Sequence, residues 1–345
     1  MGFDERSIAV ELHATPRAAR SIRGPPICAG TVVAMTSWTA LAASVRAAAK
    51  LNLHLRVIGR RPDGYHLIDS VAVPIGLFDS LTIRITPGPP EVALRCTPVL
   101  GIPTGGDNLA VRAAQCILRH CGATGRVSID LVKRIPIGAG LGGGSSDAAA
   151  VLRILNALLA QPLEDAELQR MGLELGADVP LFLVGRPVRM RGIGEHLELW
   201  LAAETRPIVV AFSGAALSTR EVYAKYDDLL TMSGPPSTIR APTSAQEPLP
   251  SVLHNDLEAA AFLVQPALPS LKQRMRSLGA EGVLMTGSGS AVFGYWRCWD
   301  DAQAAAQCLS ADGLWADVVR VLDHVPAVEL EPIDERKGGG RSPSW

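Results

Sequence analysis

Between Pro136 and Ser146 the chain reads Pro136-Ile137-Gly138-Ala139-Gly140-Leu141-Gly142-Gly143-Gly144-Ser145-Ser146, and five of the seven residues from Gly138 to Gly144 are glycine. A glycine run that opens a helix is suited to binding an anion. Without Cβ atoms the backbone can close around a phosphate, and the free N–H groups of the first helical turn point at it. Ser145, Ser146 and Asp147 add capping side chains at the same place. The segment is not a P-loop, because no lysine follows its glycines. Gly138, Gly140 and Gly143 fit GxGxxG, which by itself is weak evidence for a dinucleotide. A dinucleotide fold opens with this unit and sets an acid about twenty residues further on. Here the unit lies mid-chain, and the acids near that distance, Glu164 and Asp165, fall at a polar helix start. A second glycine segment, Thr286-Gly287-Ser288-Gly289-Ser290, is by itself compatible with a plain hairpin.

These segments must be held by regular elements. Val151, Leu152, Leu155, Leu158 and Leu159 recur at helical spacing, predicting a buried helix over 147–159, directly after the glycines. Leu51, Leu53, Leu55 and Val57 alternate with Asn52, His54 and Arg56, predicting a strand over 44–59. The turn residues 60–64 follow, then extended segments over 67–73 and 80–85. Asp107 is the expected N-cap of a helix over 108–121 closed by Gly122, and Val127, Ile129 and Leu131 mark another strand. Further elements are expected at 164–175 (helix), 207–212 (strand), 269–278 (helix) and 291–296 (strand). The Pro-, Ser- and Thr-rich stretch 233–250 reads as an exposed loop.

At 345 residues the chain is long enough for two domains. A formal net charge of -1 gives no basic field for nucleic acid or an anionic membrane, so a small molecule is the expected partner. Six cysteines lie scattered without a CxxC pair, which predicts reduced thiols in a cytoplasmic protein and no metal site. From Gly24 to Val45 an uncharged stretch, containing the small-residue run Leu41-Ala42-Ala43-Ser44, follows Arg17, Arg20 and Arg23 in the outline of a signal sequence. It is diluted by Gly, Pro, Thr and Ser, so 1–40 is expected to be a disordered extension or a product of a start placed before Met35. A disordered tail is expected over 329–345.

The glycine loop resembles the nucleotide motif of the GHMP kinases, P-x-G-x-G-L-x-x-S-S/A. Other segments resemble the branch of that family acting on a cytidyl-linked methylerythritol. They are Ala49-Lys50-Leu51-Asn52-Leu53 (with Ala49 where a Pro is usual), 59–66 (GRRPDGYH), 107–109 (DNL, after Gly105-Gly106), 175–180 (LGADVP), 192–195 (GIGE), 255–258 (NDLE) and 285–290 (MTGSGS). The resemblance spans about 48–322. It implies an α/β (α+β) fold of two domains, ribosomal S5-like over 41–190 and ferredoxin-like over 191–328, with the site in the cleft between them. It implies ATP as donor, Mg²⁺ as its companion with no ligand named, and a monomer or homodimer.

The resemblance also assigns roles. Asp178 becomes the base that takes the alcohol's proton; read from its neighbours alone it is equally an N-cap or Asx-turn residue. Lys50 becomes its partner, steadying the developing alkoxide. Residues 136–146 and Asn108 go to ATP, with Lys133 near Asn108 or at a solvated strand end. Asn52, Tyr65, His66 and Tyr223 go to the acceptor, the aromatics stacking on cytosine. Thr286, Gly287, Ser288 and Gly289 support the phosphate loop. Sister kinases acting on homoserine, mevalonate or a sugar share the loop and the fold, and a catalytically silent relative would keep them too.

Overall fold

A computed structural model describes residues 41–98, 101–158, 162–200, 206–233 and 253–331. In chain order these form β1 (Leu41–Arg60), β2 (His66–Thr86), β3 (Glu91–Thr97), α1 (Leu109–His120), β4 (Arg126–Val132), α2 (Gly143–Leu158), α3 (Asp165–Leu175) and α4 (Val179–Val184). There follow β5 (Val188–Gly192), β6 (His196–Leu199), β7 (Ile208–Phe212), α5 (Thr219–Ser233), β8 (His254–Asn255), α6 (Glu258–Val264) and α7 (Leu268–Ser277). The last elements are β9 (Gly282–Met285), β10 (Val292–Tyr295), α8 (Trp299–Ala311), β11 (Trp315–Val319) and β12 (Glu329–Glu331).

Two sheets result. The larger has eight strands along the path β12-β1-β2-β4-β3, with β5 on β2, β6 on β5 and β8 on β1. The smaller runs β11-β7-β10-β9, and its β-α-β-β-α-β order is the ferredoxin-like arrangement. The two meet where β2 touches the chain after β11: Ile75 bridges to Val321, and Leu322 N–H donates to Pro74 O at 2.9 Å.

The long strand β1 runs through three cores. Ala43, Val45 and Ala47 belong to the core under α1–α4, Ala49, Leu51 and Leu53 to the core shared with the smaller sheet, and Leu55 and Val57 to a third around α5–α8. The change from the first to the second coincides with an irregularity in the β1–β2 ladder. Ala48 pairs with Phe78 and Ala49 with Ile75, leaving Gly76 and Leu77 as unmatched residues on β2. Such an insertion bends a strand and re-aims its side chains.

Several expected elements shift. The extended segments at 67–73 and 80–85 form one strand, β2, despite Pro74, whose missing N–H falls beside the ladder irregularity where pairing is already interrupted. The cap of α1 is Asn108 rather than Asp107, its Oδ1 accepting from Ala110 N at 2.9 Å. Helix α2 begins at Gly143, four residues before the expected 147, so the last glycines and both serines are its first turn. The tail expected to be disordered from 329 opens instead with β12, whose three residues pair with Ala42, Ala43 and Ser44 and so cap the free edge of β1. The extension 1–40, the rest of the tail at 332–345 and the loop at 234–250 lie outside the described residues.

Candidate active site

A cleft of about 1110 Å³ is lined by the glycine loop, Lys50, Asn52, Tyr65, His66, Asn108, Asp178, Tyr223, Gly287 and Ser288, so residues far apart in the chain share one wall. The loop's backbone is fixed by its neighbours. Lys50 N–H donates to Leu141 O at 3.0 Å, and Ala291 N–H to Ala139 O at 3.0 Å, pinning the loop to β1 on one side and β10 on the other. Gly140, at φ +77°, has no room for a side chain: a Cβ would lie 2.6 Å from Thr286 O and 2.9 Å from Gly289 O. The second glycine segment is therefore packed directly on the first. Asn255 holds it there, Nδ2 donating to Met285 O and Gly287 O, both at 2.8 Å, and Thr286 Oγ1 accepts from Asn52 N at 2.9 Å.

Lys50 is buried, and its Nζ stands 2.5 Å from Asn52 Oδ1 and 3.8 Å from Asp178 Oδ2. Asn52 is oriented in turn by Ser70 Oγ, the acceptor of its Nδ2 at 2.8 Å. Asp178 sits at the N-cap position of α4 but makes no side-chain capping bond, and its side chain is 37 % exposed. The capping alternative is thus set aside by the geometry. The carboxylate faces the cleft, next to a buried ammonium, with Gly142 so close that a Cβ there would lie 3.1 Å from Lys50 Cγ.

Lys133 is no solvated strand end. Its Nζ is clamped between Asp79 and Asp147, the latter at 2.8 Å, beneath the loop at Gly143. Asp79 Oδ1 also accepts from Arg134 N at 2.6 Å and Ile135 N at 2.9 Å, tying the approach to the glycine loop. Burial pushes the Asp147 carboxyl up to about 7; the Lys133 charge opposes the rise and Asp79 adds to it. Burial pulls Lys133 down, but the two carboxylates outweigh it and hold the ammonium above its ordinary range.

At the other end of the cleft His66 and Tyr223 stack with ring centroids 4.6 Å apart and planes 27° from parallel. His66 Nε2 lies 2.7 Å from Asp227 Oδ1, and Arg60 Nη1 is 3.1 Å from Asp227 Oδ2. Burial pushes the Tyr223 hydroxyl well above its usual range. Tyr65 stands apart from this stack, 61 % exposed at the rim. Asn108 Nδ2 is bonded to Pro103 O at 2.8 Å, so this side chain shapes the cleft wall through its cap and the preceding loop. Sequence reasoning did not single out Asp79 or Asp227 for a role, and it read Asp147 as a capping residue where the fold places it inside α2, bonded to Lys133. The only available signal was an acid beside a recognised segment, and none has a partner close in the chain.

A two-domain α/β chain with a glycine loop at a helix N-terminus, a second glycine segment packed on it and a Lys–Asp pair at its mouth is the arrangement of a GHMP kinase. Residues 108–186 match the GHMP kinases N terminal domain and residues 244–312 the GHMP kinases C terminal. The chain is 38 % identical over 280 residues to the 4-diphosphocytidyl-2-C-methyl-D-erythritol kinase of Pelobacter propionicus, covering 81 % of this chain and 99 % of that one. A crystal structure of 4-(cytidine 5'-diphospho)-2C-methyl-D-erythritol kinase superposes with a TM-score of 0.65 at 40 % identity, over 80 % of this chain and 99 % of its own. The homoserine kinase of Cytophaga hutchinsonii has a TM-score of 0.62 at 17 % identity over 84 % of this chain and 97 % of its own, a likeness of fold alone. The chain belongs to the 4-diphosphocytidyl-2-C-methyl-D-erythritol kinase family within the GHMP kinases.

Proposed function

We propose that this chain transfers the γ-phosphoryl group of ATP to the 2-hydroxyl of 4-diphosphocytidyl-2-C-methyl-D-erythritol, with Asp178 as the base. The observation that carries the reading is the 3.8 Å approach of the buried Lys50 ammonium to the exposed Asp178 carboxylate, at the mouth of the glycine loop. In phosphoryl transfer the protein mainly positions the reactants and stabilises charge. Asp178 accepts the hydroxyl proton as the oxygen attacks the γ-phosphorus, and ADP leaves. Lys50 offsets the negative charge gathering on that oxygen, held in place by Asn52. The amides of the glycine loop and of the first turn of α2 hold the phosphates. His66, Tyr223 and the exposed Tyr65 offer flat surfaces for the cytosine ring.

Mg²⁺ would come to the site bound to the triphosphate. Among the described residues no group of three or more His, Cys, Asp or Glu could hold a metal ion. Among the same residues no helix is long and apolar enough to cross a membrane, and five cysteines are free thiols. Free thiols support a cytoplasmic setting.

The test is ADP release with the cytidyl substrate for the wild type and for Asp178→Asn. The variant is expected to keep its fold and its nucleotide affinity and to lose roughly 10²–10⁴ in turnover, the usual contribution of a positioned base. Full turnover in Asp178→Asn would remove the assigned base.

A further inference from the structure

A second concavity, of about 470 Å³, shares no lining residue with the glycine-loop cleft. Its position is the joint between the two sheets: Gly76, one of the unmatched residues of β2, donates its N–H to Arg320 O at 2.9 Å. Arg46, Arg320 and His324 line it together with Phe78 and Trp299, and no carboxylate does. Among the described residues neither guanidinium is within ion-pair distance of an acid, whereas Arg84, Arg189 and Arg274 on other surfaces each hold one. The chain as a whole carries a net charge of -1, so this local excess of positive charge is not a reflection of general basicity.

The apolar side of the concavity is equally marked. The Arg46 guanidinium carbon lies 4.7 Å from the centre of the Phe78 ring, over its face, a cation–π contact that anchors the cation at the rim of the concavity. Trp299, at the start of α8, is 43 % exposed, one of the largest apolar surfaces the fold leaves open. Val318, Leu322 and Pro326 complete the wall. The volume falls within the range of about 300–1,000 Å³ usual for small-molecule sites.

We propose that this concavity binds a small organic anion, with a phosphate head taken by Arg46, Arg320 and His324 and an apolar body laid against Trp299 and Phe78. Guanidinium groups grip a phosphate through paired N–H donors, and an aromatic wall selects an amphiphile over a bare ion. The site goes beyond the kinase reading and does not depend on it. Its floor nevertheless adjoins the active centre, since Pro74 and Ile75, next to Gly76, are the ladder partners of Lys50 and Ala49. An occupant that braces this joint would be felt at Lys50.

The test titrates the full chain with 1-naphthyl phosphate by calorimetry, with saturating ADP present to fill the glycine-loop cleft. Inorganic phosphate and 1-naphthol are titrated in parallel. Saturable binding of the naphthyl phosphate that persists with ADP, weakened roughly tenfold or more in the Arg46→Ala/Arg320→Ala double variant, is the expected result. Trp299→Phe should weaken it less while removing the accompanying quench of tryptophan fluorescence. Both variants alter exposed side chains, and unchanged thermal melting would confirm that they fold. The proposal is overturned by any of four outcomes: no saturable binding, binding displaced by ADP, equal affinity in the double variant, or inorganic phosphate or naphthol alone binding as tightly as the ester.

Discussion

Replacing Asp147 by Asn should make the protein more stable in alkaline solution, the reverse of what loss of a buried ion-pair partner usually brings. Two carboxylates, Asp79 and Asp147, face the single Lys133 ammonium in a nearly dry pocket, so one negative charge is in excess. The native Asp147 carboxyl is held at about 7 against an ordinary 3.8. Between those values the folded chain keeps a proton that the unfolded chain releases. Stability therefore falls as pH rises through this window, and the contribution of the protonated form is fully present only below 3.8. A rise of about 3 pH units at about 1.4 kcal/mol each sets a ceiling of about 4 kcal/mol on the cost of ionising Asp147. The carboxamide avoids that cost and still offers Lys133 an oxygen, and the attraction of Lys133 for the ionised form is already contained in the value of about 7. A net gain approaching that ceiling of about 4 kcal/mol is expected at about pH 8, nearly vanishing at about pH 4. Urea unfolding of both proteins across that range measures it. A variant less stable than the wild type at alkaline pH, or a difference that does not change with pH, would refute the charge count.

Two further expectations concern the cleft. Gly140→Ala puts a methyl group against Thr286 O and Gly289 O at a positive φ, and should cost about 2–4 kcal/mol of stability and raise the KM for ATP at least several-fold. Wild-type melting and KM in that variant would show that the two glycine segments are not packed as described. Asp227→Asn weakens the hold on His66 and Arg60 and should raise the KM for the cytidyl substrate about tenfold, leaving kcat and the KM for ATP unchanged. A fall in kcat without a change in KM would mean that Asp227 acts elsewhere.

The parts of the site legible in the sequence are those whose signal is local. The glycines from Gly138 to Gly144 announce a phosphate loop because their backbone freedom is a property of each residue, whatever folds around it. Lys50 and Asn52 alternate on an evident strand, yet nothing in that alternation reveals that β1 changes cores between Ala47 and Ala49. That change coincides with Gly76 and Leu77 on the neighbouring strand, which fall between the segments 67–73 and 80–85 that the sequence presented as separate. The clamp on Lys133 joins it to residues 54 and 14 positions away, and His66 reaches Asp227 across 161. Isolated polar residues carry no period, so such pairs become visible only when folding brings them together. Asp178 is the instructive intermediate: its neighbours suggested a cap, and only its unused side chain, aimed at Lys50, separates the two roles.

The two surplus residues on β2 also bear on how this molecule tolerates changes of length. Removing Gly76 and Leu77 together would leave every later side chain of β2 on its own face, since a strand alternates with a period of two. It would nonetheless take a leucine out of the interior shared with the smaller sheet, and with it the N–H that Gly76 gives to Arg320 O. A deletion at this spot should therefore slacken the seam beside Lys50 and be felt in melting as well as in turnover.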